Sequence, residues 1–137
     1  MSDRVLRAGL LAVSGAGVAV AAYLTYVHYE PAALICTAGG GCETVQQSDY
    51  AVLAGIPVAV LGLAAWSGVF GLTVWDSEPA RTLTAAVAIV SVAFAVYLVV
   101  LQLWVIDAIC VWCMVNDVVL TPLLGILAFA RIRATAD

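Results

Sequence analysis

Lysine is absent from this chain, charged residues make up only 10% of it, and His28 is its single histidine. Soluble domains carry about a quarter of their residues as charges, so an ordinary water-facing surface cannot be built from this composition. The basic residues are Arg4, Arg7, Arg81, Arg131 and Arg133, set against nine acidic ones for a net charge of −4. Nucleic-acid binding needs clustered positive charge, so that class is excluded. No internal repeat or low-complexity tract stands out. What the chain has instead is apolar: 65% of its 137 residues are hydrophobic and the mean hydropathy is +1.12. That length suits one domain, and the surplus of apolar side chains makes lipid the expected solvent.

An apolar run of about 20 residues crosses the ~30 Å hydrocarbon layer as a helix. Four such runs are present, at about Ala8–Tyr29, Ile56–Trp75, Leu83–Val105 and Val111–Ala130. None contains Lys, Arg or Glu. Backbone polar groups in lipid must be satisfied internally, so the expected fold is all-α, a four-transmembrane-helix bundle. Gly9, Gly15, Gly17, Gly62, Gly68 and Gly71 are candidates for close helix approach. The first run, preceded by Arg4 and Arg7, also has the look of a secretory signal. Signal cores are short, about 7–15 residues, and end at a small-residue cleavage site. This run is longer and ends in Tyr23, Tyr26, His28, Tyr29 and Glu30, an interfacial aromatic edge, so it is read as a retained helix.

With a cytoplasmic N-terminus, Arg4 and Arg7, the Asp76–Arg81 turn, and Arg131 and Arg133 all fall inside. The Glu30–Gly55 loop and the Ile106–Ile109 connection have no basic residue. This is the positive-inside pattern. It places a multi-pass protein in the cell (inner) membrane with both termini cytoplasmic and a long exoplasmic loop, about Glu30–Gly55, between the first two helices. A loop of that length inside a compact domain is usually functional. Its stretch from Glu43 to Leu53 is more helix-compatible than the rest.

All four cysteines then fall on the exoplasmic side. Cys36 and Cys42 lie in the long loop, separated by Thr37, Ala38 and three glycines, a segment flexible by composition. Cys110 and Cys113 form Cys-Val-Trp-Cys where the fourth helix begins. An even number of cysteines outside the cytosol argues for disulfide chemistry. A CxxC at a helix start lets the sulfurs pair in a small ring and places the first thiol near the positive end of the helix dipole. The thiolate is the attacking species in disulfide exchange. Two other readings stand beside redox exchange: a non-catalytic membrane protein stapled by exoplasmic disulfides, and a metal-handling protein with a closed four-cysteine site.

The ordered set Cys36 and Cys42, Ser48-Asp49-Tyr50, Gly55-Ile56-Pro57-Val58 and Cys110-Val-Trp-Cys113 spans nearly the whole chain. It resembles the vitamin K epoxide reductase family, most closely its small bacterial or archaeal members. The disulfide-bond-B family carries its CxxC in the first exoplasmic loop, the reverse of the order here. The resemblance implies a four-helix bundle around a quinone. It makes Cys110 and Cys113 the active-site pair, with Cys113 beside the quinone and Cys110 exchanging with Cys36 and Cys42. It implies an external thioredoxin-fold partner, and places Ser48 close to the active site. Many bacterial homologues carry a thioredoxin-like domain after the bundle. This chain stops at Asp137, so a separate partner polypeptide is expected.

The expected activity is therefore a quinone-dependent thiol–disulfide oxidoreductase supporting disulfide formation in exported proteins. The quinone is menaquinone, ubiquinone or a vitamin K-like ring, no metal takes part, and the bundle is monomeric. Asn116 and Asp117 follow Cys113 by three and four residues and share its helical face. The family resemblance puts a pocket-lining tyrosine of animal relatives at the position of Asp117. Both residues are candidates to hydrogen-bond the quinone or relay its protons. Tyr23, Tyr26 and His28 read as an aromatic belt, and Trp104 and Trp112 as interface anchors. Gln102 faces either the pocket or a neighbouring helix.

Overall fold

The computed structural model describes residues 2–30, 44–45 and 48–136. Cys36 and Cys42 lie outside the described residues. Four helices are long and apolar enough to cross a membrane. These are α1 (Asp3–Tyr29), α2 (Val58–Trp75), α3 (Glu78–Val100) and α4, a composite of Val111–Met114, a π-helical stretch Val115–Leu120, and Thr121–Ala136. A second π-helical stretch, Leu101–Val105, prolongs α3. Helix α1 packs along α2 and α4, and α3 closes the ring against both. The chain is an all-α membrane-spanning bundle.

Hydropathy marks the lipid-compatible part of each helix, not its ends. Helix α1 begins at Asp3 rather than near Ala8 because Ser2 caps it, its hydroxyl oxygen accepting from Val5 N–H. Helix α3 begins at Glu78 rather than near Leu83 for the same reason: Ser77 accepts from Ala80 N–H at 3.2 Å, and Pro79 sits in the first turn. The stretch read as helix-compatible before α2 is different. Among the described residues it is helical at Thr44 and Val45 and forms a 3-10 turn at Asp49–Ala51, and only its end, Val52–Leu53, pairs antiparallel with Ile56–Pro57 as β1 and β2. Ala54 and Gly55 both take positive φ, 54° and 84°, the demand of a two-residue hairpin turn. That turn wins over local helix propensity.

The core has two parts. One, in the body of the bundle, gathers Leu10, Ala21, Trp66, Val69, Ala88 and Leu124. The other, at the cysteine end, gathers Leu24, Val27, Val45 and Cys110. Among the candidate glycines, Gly17 is the one that a neighbour presses hard. A methyl there would fall inside the Trp66 ring, 2.5 Å from Cγ. Gly68 and Gly71 meet nothing within 4 Å, so they are not contact points between helices.

The opposite end of the bundle is closed by ion pairs. Asp76, in left-handed conformation as the C-cap of α2, donates its N–H to Leu72 O. Its carboxylate pairs with Arg131 of α4 and, at 3.2 Å, with Arg81 of α3. Arg131 is 2% exposed and also donates to Asp3 of α1 at 2.9 Å. Arg7 donates to the last carbonyls of α2, those of Thr73 and Val74, each at 3.1 Å. Partial burial would raise the Asp76 carboxyl, but Arg131 and Arg81 outweigh it and hold the group below the usual carboxylate range.

Candidate functional site

The site is built where α3 ends and α4 begins. At Leu101–Val105 the chain widens to π geometry, a device common at functional sites. Asp107 then turns in left-handed conformation, φ 56°. Gln102, 3% exposed, anchors this turn twice. Its main-chain oxygen accepts from Ala108 N–H at 3.1 Å, and its side-chain Oε1 accepts from Cys110 N–H at 2.9 Å. Cys110 is the N-cap of α4, and its Sγ accepts from Cys113 N–H at 3.4 Å, so the sulfur fills the capping role an oxygen usually takes. Cys110 is fully buried, while Cys113 is half-buried.

After one α-helical turn, α4 widens over Val115–Leu120. The backbone N–H of Thr121 and its hydroxyl both donate to Asn116 O, the latter at 2.8 Å. This leaves Asn116 and Asp117 on the wall of the bundle interior. Asn116 Oδ1 accepts from Trp66 Nε1–H at 2.8 Å, and its Nδ2 donates to Asp117 Oδ1 at 3.0 Å. Asp117 is 6% exposed, and its Oδ2 is buried with no hydrogen-bond partner among the described residues.

These side chains face a cavity of about 390 Å³, within the ~300–1,000 Å³ of small-molecule sites. Its walls are largely aliphatic, with Trp66, Phe94 and Tyr50 as its large rings. Cys113, Ser48, Asn116 and Asp117 all line it, so four of the sequence candidates meet in one space. Cys110 stands behind, packed with Leu24, Val27 and Val45. Ser48 reaches the cavity with its hydroxyl hydrogen already committed to Val45 O at 2.8 Å, which leaves it an acceptor there.

Sequence reading missed Trp66. A signal was available: an indole N–H in mid-span must find a partner, because lipid offers none. Gln102 lines the cavity and holds Cys110, which decides between its two readings. His28, at the outer end of α1, also lines the cavity. Tyr23 and Trp112 stack on one another with ring centroids 5.0 Å apart, whereas Trp104 is 70% exposed and suits an interface anchor.

Paired cysteines at the head of a spanning helix, opening on an apolar cavity, define an integral membrane protein equipped for thiol–disulfide chemistry. Residues 9–129 match the family model described as the vitamin K epoxide reductase family, and the chain belongs to that family. It is a membrane thiol–disulfide oxidoreductase of a quinone-linked family. The residues suit such a ring: a mostly apolar enclosure, and a buried carboxyl oxygen with no partner among the described residues.

Proposed function

We propose that this protein oxidises dithiols on the exoplasmic side of the cell membrane and passes the electrons to a membrane quinone, supporting disulfide formation in exported proteins. The carrying observation is that Cys113 shares one apolar cavity with Asn116 and with Asp117, whose Oδ2 has no partner among the described residues. A quinone, when bound, supplies an acceptor for two electrons and two protons.

The chain's residues divide the work. Cys113 is the thiol at the ring, and Cys110 is the sulfur that closes the Cys110–Cys113 disulfide as the electron pair leaves. Cys110 N–H is held by Gln102, which fixes the backbone that carries the first sulfur. Asn116 and Asp117 bind and orient the ring, Ser48 borders it, and the aliphatic walls exclude water. Cys36 and Cys42 form the shuttle pair, taking electrons from a separate thioredoxin-fold protein and passing them to Cys110. Val45, three residues beyond Cys42, packs in the same cluster as Cys110, which supports transfer between the pairs. Each exchange moves two electrons; for such a couple ~30 mV corresponds to about 1.4 kcal/mol, so a gap of ~100 mV supplies roughly 4–5 kcal/mol. The arginines at the opposite end support cytoplasmic termini.

The test mixes reduced, purified protein with a soluble quinone analogue and titrates free thiols. Thiols should be lost as quinol appears. Cys113→Ala should abolish turnover, and Cys36→Ala should spare oxidation of a small dithiol while crippling turnover with the protein partner. Thiols that stay reduced in the parent protein refute the reading, and tight zinc binding by the reduced protein would favour a metal site instead.

A further inference from the structure

Of the buried side-chain atoms that find no hydrogen-bond partner among the described residues, one belongs to a residue lining the cavity, Asp117 Oδ2. The rest of that carboxyl is fixed. An indole N–H only donates, so Trp66 determines which end of the Asn116 amide faces it. The amide NH₂ is thereby turned toward Asp117 and donates to Oδ1. A chain of two hydrogen bonds, 2.8 and 3.0 Å, thus runs from α2 to α4 and leaves Oδ2 as its open end. No hydroxyl lining the cavity completes it: Thr121 donates to Asn116 O and Ser48 to Val45 O, and neither Ser91 nor Tyr50 bonds Oδ2. Buried polar atoms are nearly always partnered, and with none among the described residues the geometry directs Oδ2 to what fills the cavity.

We infer that Trp66 and Asn116 are positioning residues that present Asp117 Oδ2 to the bound ring, so that the cavity tells quinone from quinol by the proton on that oxygen. This rests on the quinone reading above. A ring carbonyl has no hydrogen to give, so it is bound only when Oδ2 carries one. A ring hydroxyl donates, so it is bound by the bare carboxylate. The same atom then moves a proton during turnover. Asp117 gives its Oδ2 proton to one ring oxygen and recovers one of the two protons released as Cys110 and Cys113 join. The other thiol proton goes to the second ring oxygen. Two S–H bonds break, one S–S bond and two O–H bonds form, and both electrons end on the ring.

Other titratable groups face this space and must be separated from Asp117. They are Cys113 on its own helix with Cys110 behind it, His28 on α1 and Tyr50 before the hairpin; α2 and α3 line the cavity with no ionisable side chain among the described residues. The test therefore uses the full chain carrying Cys110→Ala and Cys113→Ala, reconstituted in lipid nanodiscs. That background removes both electron transfer and thiol titration. Binding of a short-tailed benzoquinone and of its quinol is measured by oxygen-free equilibrium dialysis between about pH 5 and about pH 9, the span over which buried carboxyls titrate.

The expected result is quinone affinity that falls with rising pH, by up to tenfold per unit, while quinol affinity does not fall. Asp117→Asn, which keeps a donor at every pH, should make quinone binding independent of pH. Trp66→Phe keeps a ring but frees the Asn116 amide, and should flatten the profile severalfold. His28→Asn should leave it unchanged. A profile that survives Asp117→Asn, that disappears with His28→Asn, or that is flat in the parent overturns the inference while leaving the quinone reading intact. No saturable binding at any pH overturns both.

Discussion

Gly17→Ala is the sharpest test of how the bundle holds its site. In a helix this exchange is ordinarily favourable by about 1 kcal/mol. Here the added methyl would stand 2.5 Å from Trp66 Cγ, where carbon atoms prefer ~3.5–4.0 Å. The indole must retreat by about 1 Å or more, because Cγ is fixed close to the backbone and has no free rotor to yield. Its Nε1 lies 2.8 Å from Asn116 Oδ1, so a retreat of that size stretches the pair beyond hydrogen-bond reach. Overpacking costs ~1–3 kcal/mol, and a buried acceptor left unsatisfied costs ~1–3 kcal/mol. The expected net destabilisation, allowing for overlap and the gain in helix propensity, is about 2–4 kcal/mol. The assay is thermal unfolding of the detergent-solubilised protein beside quinone-analogue binding. Gly62→Ala is the control, since its methyl would lie 3.9 Å from Ala21 Cβ, an ordinary contact. If Gly17→Ala matches Gly62→Ala in both measurements, the proposed coupling of the α1–α2 contact to the Asn116 amide is wrong.

Arg131→Met should lower stability near neutral pH by about 1–2 kcal/mol, less than the ~3–5 for a wholly buried pair, because the two carboxylates it abandons can partly rehydrate. The pH sign follows from Asp76, whose carboxyl is held below its usual range by Arg131 and Arg81 once the opposing effect of burial is overcome. Its stabilisation is present above the unfolded-state carboxylate pKa and is lost as pH falls through the lowered folded value. The unfolding midpoints of parent and Arg131→Met should therefore converge in acid, and a constant gap down to about pH 2 contradicts the ion-pair account. Gln102→Leu should loosen the Asp107 turn by leaving Cys110 N–H buried without its acceptor, at about 1–3 kcal/mol. Hydrogen exchange at Cys110 and the rate of Cys110–Cys113 disulfide closure report it, and unchanged values for both count against Gln102 as the anchor.

The bundle could be read from the chain because each run has one dominant constraint: length and apolarity in a solvent that forbids unsatisfied backbone. Helix ends were harder. Ser2 and Ser77 extend α1 and α3 into polar residues that hydropathy discounts. The Glu43–Leu53 stretch is helical at Thr44 and Val45 and 3-10 helical at Asp49–Ala51, and only its last two residues enter a hairpin, which the backbone angles at Ala54 and Gly55 decide and helix propensity does not show. In the site, CxxC spacing and the face shared with Asn116 and Asp117 were visible as local periodicity. Trp66 was not, because its role depends on a partner 50 residues away on another helix. The two π-helical stretches were equally hidden, since a single inserted residue per turn leaves no composition signal.

The cost of Asp117 bears on why the site is built as it is. A carboxyl in the middle of a span costs about 2.5–3.5 kcal/mol, less near the interface. Fold stability gives little in return. One oxygen receives a single amide hydrogen bond, worth ~0.5–1.5 kcal/mol net, and the other is buried with no partner among the described residues. The opposite end of the bundle shows what structural carboxylates look like in this protein: Asp76 and Asp3 both meet Arg131, and Asp76 meets Arg81 as well. No arginine lies at the cysteine end, so Asp117 has no such ion pair. Trp66 and Asn116 supply orientation without charge. That combination fixes the carboxyl in place without an ion pair, as the proposed binding of both forms of a redox ring would require.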